Sequence, residues 1–147
     1  MIFRPWVYCD NLEVYRIEKE CFKEPWTQQM ICDAFLSDNF IGYVAEHEGK
    51  VIGYVALTYC LDEAEINLVA VTHKYRRQKV AETLLLKIFD VLKEKCVEKI
   101  FLEVIILLIL LRTILKTFVG TLNTIILENS NTDFKLLVAT TPSSSIP

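Results

Sequence analysis

The sequence predicts an α+β (mixed α/β) layer fold, a mostly antiparallel sheet flanked by helices. Three observations carry this. Apolar, β-branched segments at Ile41–Ala45, Val51–Tyr59 and Glu63–Val71 follow one another across short polar turns, as strands of a meander do. Two segments, Val14–Cys21 and Ala81–Leu92, repeat apolar residues at helical spacing. The order of strand, two helices, meander, helix and strand suits one layered core.

Ile2–Tyr8 reads as the first strand. Asp10, with Glu13 three residues on, has the spacing of a capping box for a first helix whose apolar face is Val14, Ile17 and Cys21. Thr27 is a second N-cap, with Trp26 and Ile31 at the positions of a hydrophobic staple, and this helix runs to about Leu36. The turn His47-Glu48-Gly49-Lys50 joins two strands into a hairpin. Ala81, Leu84, Leu85, Ile88 and Leu92 form the buried stripe of a third helix, and Ile100–Val104 is a short buried strand. One domain over 1–139 is expected, with a Ser/Pro-rich, disordered tail at 140–147.

Composition narrows the function. A net charge of -3 and a pI near 5.4 argue against a general nucleic-acid binder. The basic residues Lys74, Arg76, Arg77 and Lys79 are clustered instead, which suits a small anionic ligand. The five cysteines are odd in number and lack zinc-like spacing, so reduced thiols are expected. His47 and His73 sit in turns, neither in a ligand cluster, and no metal is expected. MIFRPWVYCD lacks the pattern of a signal peptide, and the expected location is cytoplasmic. The apolar run Ile105–Leu111 is far shorter than the roughly 20 residues that span a bilayer, so no membrane role is expected.

The chemistry centres on the strand Ile66–Val71, the basic turn Lys74–Lys79 and the helix that follows. A helix N-terminus offers unpaired N–H groups and a partial positive charge, and a cationic turn before it completes a cradle for phosphates. Glu103 is a carboxylate within an apolar strand. Burial there costs energy and raises a carboxyl pKa, as a general base requires.

These features resemble the GNAT superfamily of N-acetyltransferases over residues 1–104. The cradle signature of that family is Gln or Arg, two residues, Gly, one residue, then Gly or Ala. Arg76, Arg77, Gln78, Lys79, Val80 and Ala81 stand in its place, with Lys79 where the family has glycine. The resemblance implies acetyl-CoA as co-substrate, with Leu68, Val69, Ala70 and Val71 pairing with the pantetheine arm through their backbone. The segments CFKEPWTQQM and LDEA resemble the bacterial members that acetylate the N-terminal alanine of a small-subunit ribosomal protein. That implies a protein N-terminus as partner, Glu103 as base, and Trp26 and Glu63 at the substrate. Trp26 is equally explained as a helix staple, and Glu63 as a solvent-facing residue.

The last third departs from the family. All six tyrosines, Tyr8 to Tyr75, precede the cradle, and Leu115 stands where the family has the tyrosine that protonates the departing thiolate. A shifted reading frame would account for this; the alternative is an unusual but genuine C-terminal half. Read from the last base of each preceding codon, the codon straddling Leu108 and Ile109 can encode Asn, and those from Asn123 through Ile126 can encode a run of Tyr. Residues 105–147 are therefore expected to be the least regular part of the chain.

Overall fold

The computed structural model describes residues 1–103, 124–130 and 133–139, with side chains through Phe101. The described strands form one seven-stranded sheet: β1 (Ile2–Pro5), β2 (Phe40–His47), β3 (Lys50–Cys60), β4 (Glu63–Val71), β5 (Lys99–Glu103), β6 (Thr124–Ser130) and β7 (Asp133–Ala139). Their spatial order is β1-β2-β3-β4-β5-β7-β6. The β4–β5 pair is parallel and the others are antiparallel. This is the mixed, mostly antiparallel sheet the sequence predicts.

Helices cover both faces. α3 (Val80–Glu94) lays Leu84, Leu85, Ile88 and Leu92 on Ile52, Val55, Leu57, Ile66 and Ile100. α1 (Asn11–Cys21) and α2 (Gln28–Phe35) bring Val14, Ile17 and Ile31 against Val44, Val51, Tyr54 and Ala56 on the other face. β3 is therefore buried on both sides, which explains its nearly continuous apolar run.

Local chemistry sets the boundaries. The β2–β3 hairpin turns on Glu48 and Gly49, with φ of 52° and 73°, the pair of left-handed residues that a tight two-residue turn requires. α3 ends with Cys96 left-handed (φ 57°), Val97 N–H donating to Leu92 and Cys96 N–H to Lys93. This Schellman closure also buries Val97.

The structure corrects three details. β1 stops at Pro5, not Tyr8. The Trp6 N–H still donates to Gly42 at 2.9 Å, but the Asp10 carboxylate then takes the Val7 N–H at 2.9 Å, folding Tyr8–Asp10 into a 3-10 turn. The Asp10–Glu13 capping box does not form. Asp10 precedes α1, but its carboxylate is held by Arg4 at 2.8 and 2.9 Å, while Glu13 accepts from the Val51 main-chain N–H of β3. Long-range partners outcompete the local cap. Third, within 105–147, expected to be the least regular part, β6 and β7 pair regularly over Thr124–Ser130 and Asp133–Ala139. The Thr27 cap does form, its hydroxyl accepting from the Met30 N–H at 3.2 Å, and Trp26 packs in the same cluster as Ile31. Val104, the run Ile105–Leu111, Leu115, the codons straddling Leu108 and Ile109, residue 123 and the tail 140–147 lie outside the described residues.

Candidate active site

β4 organises the site. It pairs with β5 from Glu63↔Lys99 to Ile66↔Leu102, and Asn67–Val71 run on past the last described β5 partner. On its other edge β4 remains paired with β3, from Cys60↔Glu63 to Gly53↔Val71. Asn67 is the extra residue where the β3–β4 register shifts between Ala56 and Leu57. Such a bulge reverses the alternation of side chains. Ala64 and Ile66 before it, and Val69 and Val71 after it, all pack under α3 despite the odd spacing, while Leu68 and Ala70 pack toward α1. Among the described residues that edge of Leu68–Val71 has no strand partner; polar backbone needs one, and an extended ligand lying beside it would supply it.

The chain then turns through His73–Tyr75, a 3-10 turn. Tyr75 anchors it, its ring 5.5 Å from His47 and its N–H bonded to Thr72 at 3.0 Å. Arg77 and Lys79 both have φ of 61°, in the left-handed region. Lys79 (ψ 18°) is the N-cap of α3 and supplies no side-chain cap. The position where the family has glycine thus demands a conformation that glycine adopts freely, and here lysine adopts it at a cost. The first N–H groups of α3 have no intrahelical acceptor. Gly53 brings the helix start close to the sheet: a Cβ there would meet the Ala70 carbonyl oxygen at 3.0 Å and Val80 at 3.3 Å.

The basic residues divide. Lys74, Arg77, Gln78 and Lys79 are exposed around the turn. Arg76 points back, its Nε donating to the Val71 carbonyl at 3.1 Å and its Nη2 lying 3.5 Å from Cys21 Sγ. Thr72 Oγ1 is buried without a hydrogen-bond partner among the described residues. A pyrophosphate fits this turn by charge and by the open helix end, while the Lys79 Cβ occupies the space that glycine would leave.

The remaining residues are not gathered at one point. Glu103 follows the last β4–β5 pair directly, in register with Lys135 of β7. Glu63 lies at the opposite end of β4 from the cradle, exposed, its carboxylate 3.0 Å from Lys99 and lining a shallow cavity with Asn39, Tyr59, Glu65 and Phe101. Trp26 is half-buried before α2, its main-chain N–H donating to Glu18 Oε2 at 2.9 Å.

Glu18 and a cluster at His73 escape the sequence reading. Glu18 is 1% exposed and also accepts from the Tyr54 hydroxyl. Burial pushes its carboxyl pKa up, partly opposed by the Trp26 N–H. Its apolar neighbours Val14 and Ile17 were the available signal: Glu18 shares their buried stripe. His73, expected to stand apart from any ligand cluster, meets Glu20 and Cys21 from α1, and the spacing of 52 and more residues hides this. The main-chain N–H and ring of His73 hold the Glu20 carboxyl below its usual range. Burial pushes the Cys21 thiol up, with Arg76 pulling the other way.

A mixed, mostly antiparallel sheet whose strand β4 feeds a basic turn and the start of a helix is an arrangement shared by acetyltransferases of one family. Residues 11–106 match the Acetyltransferase (GNAT) family, and the chain belongs to that family of acetyltransferases. Over 92 residues it is 34% identical to a protein of Bacillus subtilis (strain 168) provisionally named a ribosomal protein bS18-alanine N-acetyltransferase, covering 62% of this chain and 61% of that protein. It is 27% identical over 90 residues to the Escherichia coli (strain K12) ribosomal protein bS18-alanine N-acetyltransferase, covering 61% and 60%. The aligned region thus spans about three fifths of these curated relatives. Among solved structures, the fold is similar to the Escherichia coli ribosomal-protein-S18-alanine N-acetyltransferase (TM-score 0.74, 18% identity, 99% and 98% of the two chains). It is also similar to the PaiA N-acetyltransferase of Thermoplasma acidophilum in complex with coenzyme A (TM-score 0.76, 16% identity, 94% and 98%). Among the described residues no helix is long and apolar enough to cross a membrane.

Proposed function

We propose that this chain is an acetyl-CoA-dependent N-acetyltransferase acting on the α-amino group of a protein N-terminus, the alanine of a small-subunit ribosomal protein, in the cytoplasm. The observation that carries the reading is the edge Asn67–Val71, extended past the last described β5 partner and running into the turn 73–79 at the start of α3. Backbone groups of Leu68–Val71 hold the pantetheine arm, and an N–H there polarises the thioester carbonyl. Arg77, Gln78, Lys79, Val80 and Ala81 take the pyrophosphate at the helix start. Arg76 joins them by rotating off Val71. Trp26 and Glu63 belong to the acceptor side.

The acceptor amine has an ordinary pKa of about 7.7–8.0, so only modest help is needed to deprotonate it. Glu103 accepts that proton, directly or through a water. The amine attacks the thioester carbon, the tetrahedral intermediate collapses, and the C–S bond breaks. Coenzyme A leaves as a thiolate that takes a proton from solvent, because Leu115 cannot donate one. The test is acetyl transfer from acetyl-CoA to a peptide beginning with alanine. Transfer to small amines but not to the peptide would move the acceptor class.

A second reading is favoured by Lys79 and Leu115: a remnant that binds coenzyme A without turning over. Calorimetry with coenzyme A beside a single-turnover assay separates the two. Resequencing the gene through the codons for residues 100–130 decides whether the frame is shifted.

A further inference from the structure

We propose that Glu20, Cys21 and His73 form a zinc site that pins the end of α1 to the turn after β4. One ligand atom from each lies within 4.8 Å of the other two. Zinc ligand bonds of about 2.0–2.3 Å place tetrahedral ligands roughly 3.3–3.8 Å apart, so the three side chains need only small movements to close on an ion. Thiolate, imidazole and carboxylate together select Zn2+ over the harder Mg2+ or Ca2+. The two anionic ligands neutralise the ion. On binding, the Cys21 thiol releases its proton to solvent, and His73 binds through a ring nitrogen in its neutral form.

Three further features favour a cation there. Glu20 and Cys21 are the last two residues of α1, an 11-residue helix whose C-terminal end carries partial negative charge. Ring and carboxylate are already adjacent: the His73 main-chain N–H and ring Nδ1 both lie 2.8 Å from Glu20 Oε1, and the ring hydrogen bond opens as both groups turn to the ion while the main-chain bond can stay. Cys21 Sγ lies 3.5 Å from the Val71 carbonyl oxygen, to which the thiol donates, and 3.5 Å from Arg76 Nη2; the ion replaces the thiol proton, and the Arg76 guanidinium swings away to admit it. Three protein ligands leave a fourth position for water, and Glu20 and His73 are exposed enough to admit an ion.

The test uses untagged, reduced, chelator-treated protein. Zinc is titrated in competition with a chromophoric chelator, and cobalt(II) is added separately as a spectroscopic probe. One equivalent of zinc should bind. Cys21→Ser and His73→Ala should each weaken binding at least about tenfold. Cobalt should give a thiolate charge-transfer band in the parent that Cys21→Ser abolishes, and zinc should raise the melting temperature of the parent but not of these variants. Cys60→Ser, at an exposed cysteine at the end of β3, serves as the control and should bind like the parent. The proposal is overturned if the parent binds no zinc, if it shows no thiolate–cobalt band, or if Cys60→Ser loses as much as Cys21→Ser.

Discussion

Replacing Lys79 by glycine should make the protein both more stable and better at binding coenzyme A. Lys79 holds φ 61° and ψ 18°. A residue with a Cβ pays roughly 1–2 kcal/mol in that region, and glycine pays nothing. Glycine gives back about 0.4–1 kcal/mol because its unfolded chain is freer. The net gain is about 0.5–1 kcal/mol. At this chain length, about 2–4 °C per kcal/mol turns that into a rise of about 1–4 °C in melting temperature. Lys79→Ala is the control, since it removes the charge but keeps the Cβ and the strain. Differential scanning fluorimetry on the three proteins reads the stability, and calorimetry with coenzyme A reads the approach of phosphate to the backbone. If Lys79→Gly melts below Lys79→Ala, the strain argument is wrong. If it binds coenzyme A no more tightly than the parent, the lysine side chain does not obstruct the cradle.

Three other outcomes are expected. Glu103→Gln should lower kcat for an alanine-terminated peptide by about 10²–10⁴ while leaving the melting temperature unchanged, and full turnover in the variant would remove Glu103 as base. Burial favours the neutral form of Asp10, but the Arg4 guanidinium and the Val7 N–H outweigh it and hold its pKa below the ordinary carboxylate range. Its stabilisation is therefore present above the unfolded value of about 3.9 and is lost as pH falls through the folded value. Urea melts of Asp10→Asn should accordingly show less loss of stability below about pH 4 than the parent. Glu18→Ala leaves the Tyr54 hydroxyl and Trp26 N–H without their buried acceptor, at about 1–3 kcal/mol each, so its urea midpoint should fall well below that of Glu18→Gln.

The sequence alone determined whatever depends on neighbours along the chain. The apolar periods placed three helices and the meander within a few residues, Thr27 capped α2, and Gly49 marked the hairpin. The order of strand, basic turn and helix at the proposed cradle was legible, because a helix start and the charges before it are consecutive in the chain. Tertiary structure decided where polar side chains found their partners. Asp10 and Glu13 have the spacing of a local cap, but Arg4 and the Val51 N–H lie closer in space and took their carboxylates. The bulge at Asn67, which turns Leu68–Val71 relative to the strand before it, depends on register with β3 and leaves no mark in composition. Glu18 entered the core because Tyr54 and Trp26 reached it from 36 and 8 residues away. His73 met Glu20 and Cys21 only because α1 ends beside β4. A spacing rule reads contacts made within a helix turn or a strand pair, and side-chain partners brought together by packing lie beyond its reach.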